Sequence, residues 1–299
     1  MRKSVYVGVL LIAAGLIGLF LAYKQGGLQE GIQTNNVSER QTASLEGIKR
    51  ISISPSSANI RITEGSADEA QVEMTGELSK SMTGKVKLKV ESSGDELGIN
   101  VDHPSFSIGF NYTSLTINIT LPPRLWEEFK VETGGGNVRI DRVESRYIKL
   151  DVDSGNLEIG QAKSEELQFR LGSGNAKLYG VTANELDGSN GSGNIRVEGT
   201  ELKRTRINMG SGNIVIAADR LAGSTELETG SGNIDVNLSE QPVSLSVEAS
   251  IGWGNSNLKW SGYNDMSQED GLLKASYGDG AVPLRAEIGS GNFTLGKNE

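Results

Sequence analysis

Gly210-Ser211-Gly212-Asn213-Ile214 is one copy of a short motif that returns along this 299-residue chain at an almost constant interval. The steps between successive motif asparagines are 19, 19, 19, 19, 20, 22 and 37 residues, the last being close to two periods. These asparagines are Asn137, Asn156, Asn175, Asn194, Asn213, Asn233, Asn255 and Asn292. A fixed period of this length is typical of a solenoid, in which each repeat forms one coil and neighbouring coils stack.

Apolar residues flank each asparagine in a fixed register. With Asn as zero, positions −8, −6 and −4 are mostly apolar, as in Leu167, Phe169 and Leu171, and so are positions +1 and +3. Polar residues such as Arg170 stand between them. Alternation with a period of two on both sides of a turn predicts two strands per coil, with one face in a core and the other in solvent. Strands of neighbouring coils should pair in parallel, about 4.8 Å apart.

The Ser-Gly-Asn motif predicts a corner between two strands, because glycine accepts a positive φ and asparagine bonds to nearby backbone. In a stack the asparagine amides should also bond from coil to coil. A calcium-binding repeat would need aspartates at fixed turn positions, and only Asp153 stands at position −3. A leucine-rich repeat would place leucines at −5, −3 and +2, in a different register. The sequence therefore predicts an all-β, parallel β-solenoid, right-handed like most parallel crossover connections.

The register also occurs upstream, at Ser56-Ser57-Ala58-Asn59, which adds Asn59 to the predicted ladder of turn asparagines. We therefore expect the folded region to begin near Gly47. Residues 47–130 are predicted to form an irregular β region that caps the stack, with a hairpin turn at Ser92-Ser93-Gly94-Asp95. Residues 131–299 are predicted to form the repeat solenoid.

The N-terminus carries a targeting signal. Residues 4–23 are uncharged and mostly apolar, long enough to cross a bilayer as one helix. Arg2 and Lys3 precede this run, so the positive-inside rule predicts cytoplasmic residues 1–3, a membrane anchor at 4–23 and an extracytoplasmic remainder. Residues 24–46 are polar and indicate a flexible tether. A cleavable signal peptide is the alternative, but Leu21-Ala22-Tyr23 matches a cleavage site poorly. The chain has no cysteine, which excludes a lipid-modified cysteine and disulfides.

The repeat units Gly210-Ser211-Gly212-Asn213-Ile214 and Gly230-Ser231-Gly232-Asn233-Ile234 resemble those of the bacterial putative-adhesin β-repeat family. The anchor, tether and single repeat domain are most similar to a membrane-anchored member that is encoded with a cell-envelope stress-response system. The resemblance implies a β-solenoid at the outer face of the cell membrane and a link to envelope stress. It implies no catalytic residues.

The residues offer little for catalysis or for cofactors. His103 is the only histidine, so neither a Cys/His pair nor a histidine-rich metal site can form. Acidic side chains at Asp151, Asp153 and Glu158 fall within one predicted coil and make a glycan-cleaving β-helix enzyme the second alternative. The net charge of −9 predicts no nucleic-acid partner. We expect a non-catalytic protein without a cofactor or metal.

Aromatic residues are concentrated in one irregular segment near the C-terminus, which contains Trp253, Trp260, Tyr263 and Tyr277. They are candidates for contact with cell-wall glycan or with a partner protein of a stress-sensing system. The alternative is that they close the C-terminal end of the core. The predicted function is therefore a membrane-anchored envelope protein, and the first alternative is an adhesin or a cell-wall glycan-binding module.

Overall fold

The computed structural model describes residues 33–103 and 113–297, whose regular elements are β-strands and one 3-10 turn at Lys80–Met82. The strands are β1 (Thr34–Ser44), β2 (Arg50–Ile53), β3 (Asn59–Glu64), β4 (Glu69–Ser79), β5 (Lys87–Ser93), β6 (Glu96–Asp102), β7 (Thr113–Leu121), β8 (Leu125–Thr133), β9 (Val138–Ser154), β10 (Leu157–Tyr179), β11 (Val181–Glu198), β12 (Glu201–Ala218), β13 (Ser224–Ser231), β14 (Ile234–Leu238), β15 (Leu245–Trp253), β16 (Ser256–Leu258), β17 (Asp265–Glu269), β18 (Leu272–Tyr277), β19 (Val282–Ser290) and β20 (Phe293–Lys297). The prediction of an all-β fold is confirmed.

No helix within residues 33–103 and 113–297 is long and apolar enough to cross a membrane. The predicted anchor at residues 4–23 lies outside the described residues, as do residues 1–3 and the first part of the predicted tether.

The centre of the molecule is a stack of parallel coils that follow one another along the chain. Strand β10 pairs in parallel with both β9 and β11, and β11 pairs in parallel with β12. The register between β10 and β11 is one repeat, because Asn175 lies opposite Asn194 and Leu178 lies opposite Val197. The predicted parallel β-solenoid is confirmed, and its repeat is the one read from the sequence.

The inward rows of the predicted register form the core. Leu167, Phe169 and Ile195 are fully buried, and the same positions are buried through the stack. Neighbouring coils complement each other in size: a Cβ at Gly188 would lie 2.4 Å from Cζ of Phe169 in the preceding coil. The phenylalanine ring therefore occupies the space that a side chain at residue 188 would need.

Within the described residues ten coils stack, in an order that differs from the chain order at both ends. From the N-terminal end, the stack runs β6/β7, β2/β3, β8 with the start of β9, the coils of β9 to β12, β13/β14, β19/β20 and finally β15/β16. The final coil of the chain thus inserts between two earlier ones. The 37-residue step in the sequence contains the antiparallel hairpin β17/β18 and not a second tandem coil.

The region predicted as an irregular cap at 47–130 is partly regular. Strand β2 lies between β6 and β8, and β3 lies between β7 and β9, so the copy at Asn59 is a full member of the stack. Strand β8 pairs in parallel with β9 and so also belongs to the regular coils. The solenoid therefore does not begin at residue 131, where the sequence predicted the end of the cap. The hairpin predicted around Gly94 is confirmed, since β5 and β6 are antiparallel and are joined by Gly94 and Asp95.

The prediction of a flexible tether at residues 24–46 is wrong for residues 34–44, which form β1. This strand pairs antiparallel with β4 over its whole length. Its side chains also cover the edge of β5: Leu88 N donates to Glu39 Oε2 at 2.9 Å, and Gln41 Nε2 donates to Leu88 O at 2.8 Å. The polar composition of residues 24–46 suggested a tether. In the structure, the polar side chains of Glu39 and Gln41 make the hydrogen bonds that a neighbouring strand would otherwise make to β5.

A glycine precedes every ladder asparagine except Asn59, which follows Ala58, and it brings the backbones of neighbouring coils into close contact. At Gly193 φ is +133°, and a Cβ there would lie 1.8 Å from the carbonyl oxygen of Gly174. The same approach recurs at Gly212, where a Cβ would lie 1.6 Å from Gly193 O. These corners therefore require glycine both for conformation and for space.

The motif asparagines form a continuous ladder along the corner of the stack. Asn194 N and Nδ2 donate to Asn175 Oδ1 at 3.1 and 3.0 Å, and Asn213 N and Nδ2 donate to Asn194 Oδ1 at 3.3 and 3.1 Å. The spatial order of the ladder is Asn59, Asn137, Asn156, Asn175, Asn194, Asn213, Asn233, Asn292 and Asn255. Each Oδ1 that receives both bonds thus satisfies a turn N–H of the next coil.

We expect Gly193→Ala to lower the free energy of unfolding by about 3 kcal/mol, because it adds both backbone strain and a clash with Gly174 O. Gly199→Ala is the matched control: φ is +56° there, and a Cβ would meet nothing within 4 Å. Its expected cost is only about 1 kcal/mol, for the left-handed conformation. Urea unfolding followed by circular dichroism measures both, and equal losses would contradict the close-contact argument.

We expect Asn194→Ala to cost about 1 to 2 kcal/mol of unfolding free energy, because Asn213 N and Nδ2 lose their shared acceptor. Asn208→Ala is the control, since Asn208 is exposed on an outward strand position of the next coil. Thermal melts of the two variants should separate by several degrees. A ladder that contributes nothing to stability would give the same melting temperature for both.

Candidate functional site

The C-terminal end of the stack contains the aromatic residues that the sequence singled out, and the structure divides them into two groups. Trp260 and Tyr277 are buried, with exposed fractions of 9% and 0%. Trp253 and Tyr263 have exposed fractions of 82% and 43%. Only the exposed pair can contact a glycan or a partner protein directly.

The buried pair closes the end of the core. Trp260 Nε1 donates to Gly296 O at 2.7 Å, and Tyr277 OH donates to Trp260 O at 3.1 Å. Lys297 Nζ lies 4.8 Å from the centroid of the Trp260 ring. Burial raises the pKa of Tyr277. Of the two expectations for the aromatic residues, Trp260 and Tyr277 fit closure of the core and not partner contact, because their rings pack inward and their polar atoms bond to the protein's own backbone.

The exposed apolar side chains concentrate at this same end. In the described part of the chain the large exposed ones are Leu125, Tyr147, Val243, Trp253, Tyr263 and Met266. Four of these six lie between residues 243 and 266. Tyr263 packs edge-on against Tyr277, with ring centroids 6.2 Å apart, and Met266 is paired with Ala275 across the hairpin. Tyr263 and Met266 therefore lie near the start of β15 and Trp253 lies at its end, so the exposed apolar side chains occupy two separate positions at this end of the stack. We call residues 243–281 the C-terminal tip.

The predicted acidic candidates are largely engaged with basic side chains. Glu158 Oε1 lies 2.9 Å from Arg139 Nη1, and Asp151 Oδ2 lies 3.6 Å from Lys149 Nζ. In another coil the guanidinium of Arg206, 2.6 Å from Glu226, holds the pKa of that carboxyl below its usual range. A carboxyl whose pKa is lowered, as that of Glu226 is, is a poor general acid.

No metal centre occurs within residues 33–103 and 113–297, and a groove that crosses several coils has walls of both charge signs. No group of three or more His, Cys, Asp or Glu residues there could hold a metal ion. A groove of ≈ 930 Å³ crosses several coils, but Lys163, Lys203 and Arg220 on its walls are matched by Glu201, Asp219 and Glu240. Balanced charge of this kind favours neither an anionic nor a cationic ligand.

Parallel coils, a corner ladder and an aromatic end closure define this protein as an all-β solenoid protein with its candidate site at one tip. The chain belongs to the Toastrack DUF4097 family, whose model matches residues 48–296. Strand β1 lies before the matched segment. No curated protein matches this sequence.

Two crystal structures with a similar fold are described as putative adhesins. The one from Bacteroides fragilis NCTC 9343 has 14% identity and a TM-score of 0.51, and the similarity covers 87% of this chain and 97% of that chain. The one from Parabacteroides distasonis ATCC 8503 has 14% identity and a TM-score of 0.53, with the same coverage. The predicted resemblance to the putative-adhesin repeat family is confirmed at the level of fold.

We expect Trp260→Ala to lower the free energy of unfolding by about 3 to 5 kcal/mol, because it opens the end of the core and leaves Gly296 O without its donor. Trp253→Ala should change it by less than about 0.5 kcal/mol, since that ring is exposed. Urea unfolding of both variants measures the difference. A mild effect at residue 260 would contradict its role as the end closure.

Proposed function

We propose that this protein is a non-catalytic binding protein of the bacterial cell envelope that uses the C-terminal tip to engage its target. The observation that carries the proposal is the position of the exposed apolar side chains. The chain enters the described fold at β1, beside the first coil, whereas Trp253 and Tyr263 lie at the tenth coil. Nine steps of about 4.8 Å separate these coils by about 43 Å.

The proposal includes the membrane anchor at residues 4–23, with residues 1–3 in the cytoplasm and the solenoid outside the cell. An anchor before β1 would fix the N-terminal end of the stack near the membrane and would present the tip away from it. The apolar length of residues 4–23 and the basic residues before them support this orientation.

The target we favour is a membrane protein of an envelope stress-sensing system. The single anchor, the single repeat domain and the resemblance to LiaG, a membrane-anchored protein encoded with such a system, support this assignment. Cell-wall glycan is the alternative target, and the exposed Trp253 ring favours it because aromatic rings stack on sugars. The glycan-cleaving enzyme has less support, since two of its three candidate carboxylates, Glu158 and Asp151, are paired with Arg139 and Lys149.

The test compares full-length protein in detergent with a tip variant that carries Trp253→Ser and Tyr263→Ser. Tyr147→Ser is the control, because Tyr147 is 48% exposed on the side of the stack. We expect the wild type and the control to retain the sensor protein of the stress system from solubilised membranes. The amount of sensor protein retained by the tip variant should be at least about tenfold lower.

Parallel samples contain purified cell-wall glycan. Retention on glycan that only the tip variant loses would support the alternative target. If the protein instead released soluble fragments from the glycan, and the double substitution Asp151→Asn and Glu158→Gln abolished that release, the protein would be a glycan-cleaving enzyme. Equal retention by all three proteins would overturn the proposal that the tip is the binding surface.

A further inference from the structure

Strand β17, at the outermost edge of the C-terminal tip, has an open side. It pairs antiparallel with β18, and no other strand of residues 33–103 or 113–297 lies against it. All five of its residues, from Asp265 to Glu269, are exposed. An exposed strand edge presents unpaired N–H and C=O groups to any extended chain that approaches it.

The hairpin geometry identifies which backbone groups are free. Asp270 and Gly271 form a two-residue turn, with φ of 49° and 77°. Such a turn makes its flanking residues, Glu269 and Leu272, a pair that exchanges both hydrogen bonds. The bonded positions of β17 are then 265, 267 and 269. The N–H and C=O groups of Met266 and Gln268 consequently point away from β18, toward solvent.

The opposite side of the hairpin agrees with this assignment. Ile251 N donates to Gly271 O at 2.8 Å, which makes residue 271 a bonded position toward β15. Odd-numbered residues of β18, such as Leu273 and Ala275, therefore bond to β15, and the even-numbered ones bond to β17.

The side chains of β17 specify the chemistry of an added strand. Asp265, Ser267 and Glu269 share one face of the sheet with Lys274 and Glu248 of the neighbouring strands, whereas Met266 and Gln268 share the other face with Ala275 and Leu273. A strand placed against this edge would be stabilised by basic residues opposite Asp265 and Glu269, and by apolar residues between them.

A second copy of this chain fits the edge poorly. Antiparallel pairing of two β17 strands about Ser267 would place Asp265 opposite Glu269, and parallel pairing in register would place each acid opposite itself. The tip carries Glu248, Asp265, Glu269, Asp270 and Asp279 against Lys259 and Lys274, so five acids and two bases give it a net charge of −3. Two such tips repel each other, and a basic segment is attracted.

The N-terminal end of the molecule shows how an edge is protected when it is not used. There the backbone of Leu88 on β5 is occupied by the side chains of Glu39 and Gln41. The Met266 and Gln268 edge has no such cover within the described residues, and Met266 is itself one of the exposed apolar side chains of the tip.

We propose that β17 is a docking edge that accepts an extended, basic segment of a partner protein as an additional antiparallel strand. This inference rests on the proposed function, because it gives the chemistry of the partner at the same tip. Backbone hydrogen bonds to Met266 and Gln268 would supply affinity, and lysine or arginine opposite Asp265 and Glu269 would supply selectivity.

The test uses full-length protein in detergent and two fluorescent probe peptides built around Lys-Val-Thr-Val-Lys and Glu-Val-Thr-Val-Glu. We expect the lysine peptide to bind at least about tenfold more tightly by fluorescence anisotropy. Gln268→Pro removes an edge N–H that makes no bond to β18, so the hairpin should persist while peptide binding falls about tenfold or more. Gln268→Thr is the control and should bind like wild type.

A charge reversal makes the test independent of folding defects. Asp265→Lys combined with Glu269→Lys should invert the preference, so that the glutamate peptide binds better than the lysine peptide. Equal binding of both peptides to wild type, or unchanged binding by Gln268→Pro, would overturn strand addition. If target retention is lost in the Trp253/Tyr263 variant but kept in Gln268→Pro, the proposed function stands and the docking edge does not.

Discussion

The structure depends on the close backbone contact at the Ser-Gly-Asn corner. A Cβ at Gly193 or Gly212 would lie within 2 Å of the carbonyl oxygen of the glycine below, so successive corners from Asn137 onward require glycine; Ala58, before Asn59, is the exception at the N-terminal end. The asparagine beside it then reaches the turn N–H of the next coil, which the strand ladder does not serve. These two requirements fix the register of each coil on the one before it, and the apolar rows fall into line as a consequence.

The two ends of the stack are covered in different ways. At the N-terminal end, β1 and β4 wrap the first coil, and polar side chains occupy the open edge of β5. At the C-terminal end, Trp260 and Tyr277 close the core but leave β17 exposed. This asymmetry is the physical basis on which we propose a binding role for the C-terminal tip, because an anchor at residues 4–23 would hold the N-terminal end of the stack at the membrane and leave the tip free to bind.

The ion pairs along the sides of the solenoid have a simple geometric cause. Outward strand positions of neighbouring coils stand about 4.8 Å apart, so acidic and basic side chains pair along the rows, as Arg139 does with Glu158 and Arg206 with Glu226. Exposed ion pairs of this type contribute little to stability. The guanidinium of Arg206 lowers the pKa of Glu226, and a carboxyl held ionised in this way suits a solvated surface.

Much of the fold was predictable from the sequence because its causes are local. The 19-residue step, the alternation around residues such as Leu167 and Phe169, and the glycine of each corner are properties of one repeat, and stacking only multiplies them. The order of the coils at the two ends, the strand at Thr34–Ser44 and the burial of Trp260 and Tyr277 were decided by tertiary structure alone. Each depends on a partner far away in the chain. Strand β19 pairs with β13 because both strands carry the same repeat register. The polar strand β1 is ordered by its pairing with β4 and by its side-chain hydrogen bonds to β5. The repeat sequence determines the register between any two adjacent coils, but the order of the coils in the stack is determined only by the tertiary structure.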